Sequence, residues 1–352
     1  MLKWLKFTKL ERQFVRGCLR RGRQNRPPTS INVEPTNVCN LSCVVCPHGA
    51  ARKGIIPPIQ RRKGFMSMDT YKTLLDGCGH HIKTMALYLH GEPFLHEQLH
   101  EMIALARERE ISVNLFTNGL VSGIVEKMNN VLKARPASVC LSMDLISVDG
   151  CILYKGEDLY NQARENFSLI SQCFEDSRQT KLVLRSIYSG ETEQQLQEFL
   201  ERYLSCNSLH SIQITHPFPW PGRREADVLS SRLARRHFNV CPQVWNALNV
   251  FWDGTVVPCS YDYEGACRVG NIYDTPIRDI VNSPELCRFR RLHIFRRTRQ
   301  IQLCANCFLP RFSTHIIVVR KRQYLKMSAS KRTELHKSIM ALKFNPAEDF
   351  LT

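Results

Sequence analysis

Glu34-Pro-Thr-Asn-Val-Cys39-Asn-Leu-Ser-Cys43-Val-Val-Cys46-Pro-His48 sets three cysteines at the spacing C-x3-C-x2-C, immediately after the β-rich run Ile31–Thr36. Three close thiolates suit a soft metal. A four-iron cluster has four corners, so three cysteines leave one iron open to another ligand. The competing occupant is zinc, whose structural sites take four ligands, and His48 would complete a Cys3His set. The residues themselves leave both readings open.

Beyond the cysteines the chain settles into a rhythm of short β-rich runs and helical stretches. The spacing predicts strands at Ile31–Thr36, Met85–Leu89, Ser112–Thr117, Val139–Met143, Leu182–Tyr188 and Ser211–Thr215. Between them it predicts helices at Met68–Cys78, Gln98–Arg109, Val121–Ala134, Leu159–Phe174 and Glu193–Leu204. Strands alternating with helices imply parallel β/α units. Six strands are too few for a closed eight-unit barrel, so the expected fold is α/β, a partial (β/α)6 barrel. Functional groups should then sit on the loops after the carboxyl ends of the strands.

Composition narrows the setting. The 352 residues allow one large core or a core plus a small appendage. No run approaches the ~18 apolar residues of a membrane-spanning helix, and no secretory leader is visible at the start. Fifteen cysteines point to a reducing, cytoplasmic setting in which the clustered ones read as metal ligands, while Cys18, Cys78, Cys140, Cys151, Cys173 and Cys206, in helical or strand runs, read as structural. The formal charge of +17 reads either as a basic solvated face or as a field for an anionic partner: a phosphorylated substrate, anionic lipid or nucleic acid. The expected organisation is a basic extension (1–29), the barrel (30–217), a linker (218–240), a cysteine-bearing module (241–310) and a basic tail (311–352). Within residues 1–26 the apolar side of a basic amphipathic helix leaves peripheral membrane contact open.

The cysteine spacing and its place ahead of a β/α series resemble the radical S-adenosyl-L-methionine superfamily. The resemblance runs from about residue 30 to about residue 310. It implies a 4Fe-4S cluster at Cys39, Cys43 and Cys46, with S-adenosyl-L-methionine on the open iron. His90-Gly91-Glu92-Pro93 looks like the family's Gly-Gly-Glu-Pro turn, with His90 in place of its first glycine. The resemblance therefore implies that Gly91, Glu92 and Pro93 meet the methionine amino group. It also implies cofactor contacts for His48, Thr117, Asn118, Ser142, Asp144 and Arg185. Leu145 stands where the family usually continues with glycine.

A second cysteine group lies beyond the linker. Cys241, Gly254, Cys259 and Cys304-Ala-Asn-Cys307 give C-x12-G-x4-C followed by C-x2-C. Gly254 is placed for the turn of a hairpin, Leu248–Trp252 with Thr255–Val257, and a helical stretch is expected from Pro276 to Phe295. Spacing alone also fits a tetrahedral zinc site. The pattern resembles the SPASM and Twitch modules, which implies a small α+β iron–sulfur module with one auxiliary 4Fe-4S cluster on Cys241, Cys259, Cys304 and Cys307. Cys267 and Cys287 are alternates.

The resemblance implies reductive cleavage of S-adenosyl-L-methionine to a 5′-deoxyadenosyl radical, which takes hydrogen from a small-molecule substrate. A flavodoxin or ferredoxin is the implied electron donor. The single auxiliary cluster looks most like that of the dehydrogenase of 2-deoxy-scyllo-inosamine, which implies oxidation of a sugar, cyclitol or similar polyol, with room for an anionic one. Asp262, Glu264, Arg185 and Arg290 are unranked candidates for the base. Two other readings stand beside this one: a maturase acting on a peptide or protein, and a zinc-stabilised basic nucleic-acid-binding protein. The latter leaves the β/α series unexplained, so no specific nucleic acid is expected.

Overall fold

A computed structural model describes residues 22–24, 28–177, 179–215, 220, 241–307 and 316–340. The amphipathic helix expected within residues 1–26, most of the expected linker and the chain end beyond 340 lie outside the described residues. In chain order the elements are β1 (Ser30–Val33), α1 (Pro47–Arg52), α2 (Met68–Cys78), β2 (Thr84–Leu87), α3 (Leu99–Glu108), β3 (Ser112–Thr117), α4 (Ile124–Lys133) and β4 (Ser138–Ser142). They continue with α5 (Val148–Lys155), α6 (Tyr160–Cys173), β5 (Lys181–Ile187), α7 (Glu193–Leu204) and β6 (Leu209–Thr215). The later part holds α8 (Gln243–Asn246), β7 (Ala247–Val250), β8 (Thr255–Val257), β9 (Gly270–Asn271), α9 (Ile277–Ile280), α10 (Pro284–Ile294), β10 (Ile317–Arg320), α11 (Lys321–Tyr324) and α12 (Ala329–Met340).

All six strands of the expected β/α series are present, with helices between them. The fold class is α/β with a partial barrel and a small α+β module, as the sequence leads one to expect. Local chemistry sets the boundaries. β1 stops at Val33 because Pro35 has no N–H for a ladder, and Thr36 instead bridges Phe65. Thr192 and Gln195 form a reciprocal capping box that starts α7. Two helices, not one, join β4 to β5. Ser147 caps the first, accepting from the Gly150 amide at 2.9 Å, and Gly156 ends it in the left-handed region at φ +77°.

The described residues fall into two compact units. One gathers residues 34–65, 85–219 and 315–352. Its strands run in the order β10-β6-β5-β4-β3-β2 without closing. β3, β4, β5 and β6 are parallel, and β10 adds antiparallel to β6 with Ile317 opposite Ile214. That last strand is a departure from a mere basic tail. On one face Leu115, Leu141, Leu184 and Ile212 are buried, with α3 against β3 and α7 against β6. The period-two alternation sends Phe116, Ser142, Arg185 and Gln213 to the other face, where they stay half-buried. Ser142, Arg185 and Gln213 are direct cross-strand neighbours there.

The second unit gathers residues 1–33, 66–84 and 220–314. β1 pairs in parallel with β7, and β7 and β8 form the expected hairpin with Val250 opposite Val256. Gly254 turns it at φ +81°, a conformation costly for any other residue. The helical stretch expected from Pro276 to Phe295 is broken in two: Ser283 caps α10 by accepting from the Leu286 amide at 3.2 Å, and Pro284 opens it. No helix among the described residues is long and apolar enough to cross a membrane.

Candidate active site

Cys39, Cys43 and Cys46 lie on the segment leaving β1, and Cys46 is the N-cap of α1. The Cys46 amide donates to the Cys43 carbonyl at 3.2 Å, folding the last two thiols into one turn. Gly49 makes that turn possible, because a Cβ there would stand 2.2 Å from the Cys43 carbonyl oxygen. Burial pushes the Cys39 thiol up to about 11, with the charges of Glu92, Cys43 and Cys46 adding to the rise. Cys43 and Cys46 are also raised, chiefly by burial. Three half-buried thiols that resist ionisation are unfavourable neighbours until a cation replaces their protons. Among the described residues no three Cys, His, Asp or Glu side chains close around a single point as a one-ion site would. The donor set, three neighbouring thiols, fits a cluster with an open corner.

Gly91 and Glu92 are packed onto this segment. A Cβ on Gly91 would lie 2.2 Å from the Thr36 carbonyl oxygen and 2.7 Å from that of Val38. The Glu92 amide donates to the Val38 carbonyl at 2.9 Å, and Pro93 opens a short 3-10 turn that Glu92 caps. The Glu92 carboxylate is buried and works as a latch. Oε1 accepts from the Phe94 amide at 3.1 Å and the Thr117 hydroxyl at 2.7 Å, and Oε2 accepts from the Asn118 amide at 2.7 Å. Burial nonetheless raises its pKa. Three of about four acceptor positions are thus internal, which leaves roughly one for a ligand. Asn118 extends the latch: its Nδ2 donates to Asn40 Oδ1 at 3.0 Å and approaches Cys39 Sγ at 3.9 Å.

Asp144 follows β4 in a left-handed conformation, φ +55°. Its Oδ1 accepts from the Ile187 amide at 3.0 Å, and its Oδ2 meets Lys155 Nζ at 2.9 Å. Both side chains are buried. Burial disfavours the charged form of Lys155, but Asp144, with a smaller contribution from Cys43, outweighs it and raises the pKa above the usual value. Lys155 also donates to the Ser142 carbonyl at 3.3 Å, and it lowers the cost of a thiolate at Cys43. Sequence reasoning missed it, because a lysine closing a short helix carries no motif.

His48 stacks on His90 with ring centroids 5.5 Å apart. His90 Nδ1 lies 3.1 Å from Glu34 Oε1, and Arg61 grips both Glu34 oxygens at 3.2 and 2.6 Å. Burial would raise the Glu34 carboxyl, but His90 and Arg61 outweigh it and hold it down at about 2. His48 is pushed down to about 3, by burial first and by His90 second, and its Nε2 is buried without a partner. That orphaned nitrogen is the side chain here most in need of a ligand. His90, where glycine was expected, is thereby accounted for as a partner of Glu34. Arg185 donates Nε and one terminal nitrogen to Gln213 Oε1 at 3.2 and 2.8 Å, and its guanidinium lies 5.1 Å over the Phe116 ring.

In the other unit Cys241, Cys259, Cys304 and Cys307 come together. Burial raises the Cys259 thiol well above its usual value, and Cys241, Cys307 and Cys304 each add to the rise. Cys304 is raised by burial and then by Cys307, Cys241 and Cys267. Cys267 therefore neighbours the group, whereas Cys287 donates its S–H to the Asn282 carbonyl at 3.6 Å. Two of the candidate bases have structural work. Asp262 accepts from the Ala266 and Cys267 amides at 2.9 and 2.8 Å, while Arg290, buried over Trp245, donates to the Val244 and Val281 carbonyls. His293, also unforeseen, lies with Nε2 3.5 Å from Cys304 Sγ.

Comparison with known proteins bears on both sites. The SPASM family, an iron–sulfur cluster-binding domain, matches residues 241–308. A curated 7,8-dihydro-6-hydroxymethylpterin dimethyltransferase of Methanocaldococcus jannaschii is 28% identical over 141 residues, 38% of this chain and 26% of that protein. The chain thus spans about a quarter of the length of that relative. Among solved structures, BtrN in complex with AdoMet and 2-DOIA is similar with a TM-score of 0.54 at 16% identity, over 84% of this chain and 100% of that one. Streptococcus suis SuiB bound to S-adenosylmethionine gives 0.57 at 13% over 79% and 71%, and anSMEcpe with bound AdoMet gives 0.57 at 15% over 90% and 97%. At these identities the likeness is one of fold.

Proposed function

We propose that this chain, which joins the fold of radical S-adenosylmethionine proteins to a SPASM-type iron–sulfur module, is an enzyme that oxidises a sugar, cyclitol or similar polyol by hydrogen abstraction. A 4Fe-4S cluster with S-adenosylmethionine on its open iron would supply the 5′-deoxyadenosyl radical. The observation that carries the reading is the mutual placement of Cys39, Cys43 and Cys46, held by Gly91, Glu92 and Asn118 at the ends of β1, β2 and β3.

The chain's own residues define what they would do. Cys39, Cys43 and Cys46 would bind three irons, and Lys155 would offset part of the negative charge that binding brings. Gly91 would keep its turn packed on the cysteine segment, and the remaining Glu92 acceptor would take a proton of the methionine amino group. His48 Nε2 would find its missing partner on the bound cofactor. On the half-buried face of the sheet, Arg185 keeps guanidinium donors beyond those given to Gln213, enough for a carboxylate or a phosphate. Gln213 and the Ser142 hydroxyl stand beside it for substrate hydroxyls.

Removing a hydrogen atom and then a proton and an electron from a carbinol gives a ketone. The hydroxyl proton needs a base. The electron needs an acceptor, for which the four-cysteine group of the SPASM-type module is suited, since a fully ligated cluster can pass an electron without binding substrate. A flavodoxin or ferredoxin would supply the first electron. The test is metal and sulfide analysis of anaerobically purified protein, followed by turnover with a panel of neutral and phosphorylated polyols. About eight irons per chain and substrate-stimulated 5′-deoxyadenosine support the reading. One or two zincs per chain and no iron would overturn it.

A further inference from the structure

We propose that His293 is a positioning residue of the auxiliary site, donating its Nε2–H to the sulfur of Cys304 and so raising the reduction potential of the cluster held there. This rests on the reading that Cys241, Cys259, Cys304 and Cys307 bind an iron–sulfur cluster.

His293 is on the last turn of α10, 1% exposed, with Nε2 3.5 Å from Cys304 Sγ. Its other nitrogen, Nδ1, is buried without a partner, so Cys304 is the one hydrogen-bonding group the ring faces among the described residues. The ring stacks on Phe289 at 6.0 Å and 24°, one turn earlier on the same helix, which fixes its plane. A neutral imidazole has one N–H and one bare nitrogen. Facing a protonated thiol, Nε2 can accept or donate. Facing an iron-bound thiolate it can only donate, because that sulfur has no proton to give. Cluster binding therefore selects the Nε2–H tautomer.

The consequence is electronic. Reduction adds negative charge to the cluster, part of which resides on its cysteine sulfurs. A buried donor aimed at one sulfur stabilises the reduced state more than the oxidised one, and hydrogen bonds to sulfur are a recognised control of cluster potential. In a site meant to accept an electron from substrate, that is the useful direction. The effect falls on one corner of the cluster, the iron that Cys304 would hold.

The experiment isolates the auxiliary site by carrying Cys39→Ala, Cys43→Ala and Cys46→Ala together, then adds His293→Leu or His293→Gln. Iron content and an EPR-monitored redox titration are read in each. About four irons should remain in all three proteins. His293→Leu should shift the redox equilibrium about tenfold toward the oxidised form, equivalent to ~59 mV for one electron, whereas His293→Gln, which keeps a donor, should recover most of it. In the parent, pulsed EPR with 15N-histidine labelling should show one weakly coupled nitrogen, a measurement independent of how the variants fold. No iron in the triple variant would remove the cluster reading and this inference with it. A full complement of iron with an unchanged potential in His293→Leu would overturn the inference alone. Loss of iron in His293→Leu, or a strongly coupled nitrogen in the parent, would make His293 a ligand and overturn it also.

Discussion

Lys155 Nζ lies 2.9 Å from Asp144 Oδ2, with both side chains buried and the lysine charge felt at Cys43. A buried ion pair of this kind is costly to break and cheap to remove whole. Lys155→Met leaves a buried carboxylate unpaired and should lower unfolding stability by about 3–5 kcal/mol. Adding Asp144→Asn should return most of that loss, since asparagine tolerates the left-handed backbone at φ +55°. Denaturant unfolding of the two variants without iron checks the pair; equal stability of both would contradict it.

Gly91→Ala asks for a methyl group 2.2 Å from a backbone oxygen of Thr36, a contact no side-chain rotation can relieve. The turn would have to lift away from the segment that bears Cys39. A destabilisation of at least about 1–3 kcal/mol is expected. A marked loss of iron incorporation should accompany it, read by iron analysis after reconstitution.

Glu34 titrates with a definite sign. Its folded pKa, about 2, lies below the ordinary 4.5, so its contribution is fully present above the ordinary value and fades as the pH falls toward 2. Comparing pH 7 with pH 3 in metal-free protein, the parent should lose about 2 kcal/mol that Glu34→Gln does not lose. Parallel losses would show that the Arg61 and His90 contacts do not hold the carboxylate.

Cys267 neighbours the auxiliary group without belonging to its spacing pattern. Cys267→Ala should keep the full iron content, whereas Cys259→Ala should lose about four irons per chain. Iron analysis of the two proteins decides whether the site has four thiol ligands or a fifth in reserve.

The strands were legible because a half-buried sheet repeats every two residues, and the cysteine triplet because its ligands are neighbours in sequence. Gly91 was legible for the same reason. Glu34, Arg61 and His90 were not: 27 and 56 residues separate the partners, and each alone is an ordinary polar residue. Glu92 was found but its work was only half read, since the donors from Thr117 and Asn118 come from the next strand. Lys155 and His293 close helices whose limits the periodicity blurred, one omitted between β4 and β5 and one fused across Ser283. β10 escaped notice because strand pairing with β6 depends on a register more than a hundred residues away.

The most direct measurement is 5′-deoxyadenosine release from S-adenosylmethionine by anaerobically reconstituted, reduced protein, with Cys43→Ala alongside it. The parent should release it, and the variant should give none above background. Equal release from both would contradict the assignment of these three thiols to the reacting centre.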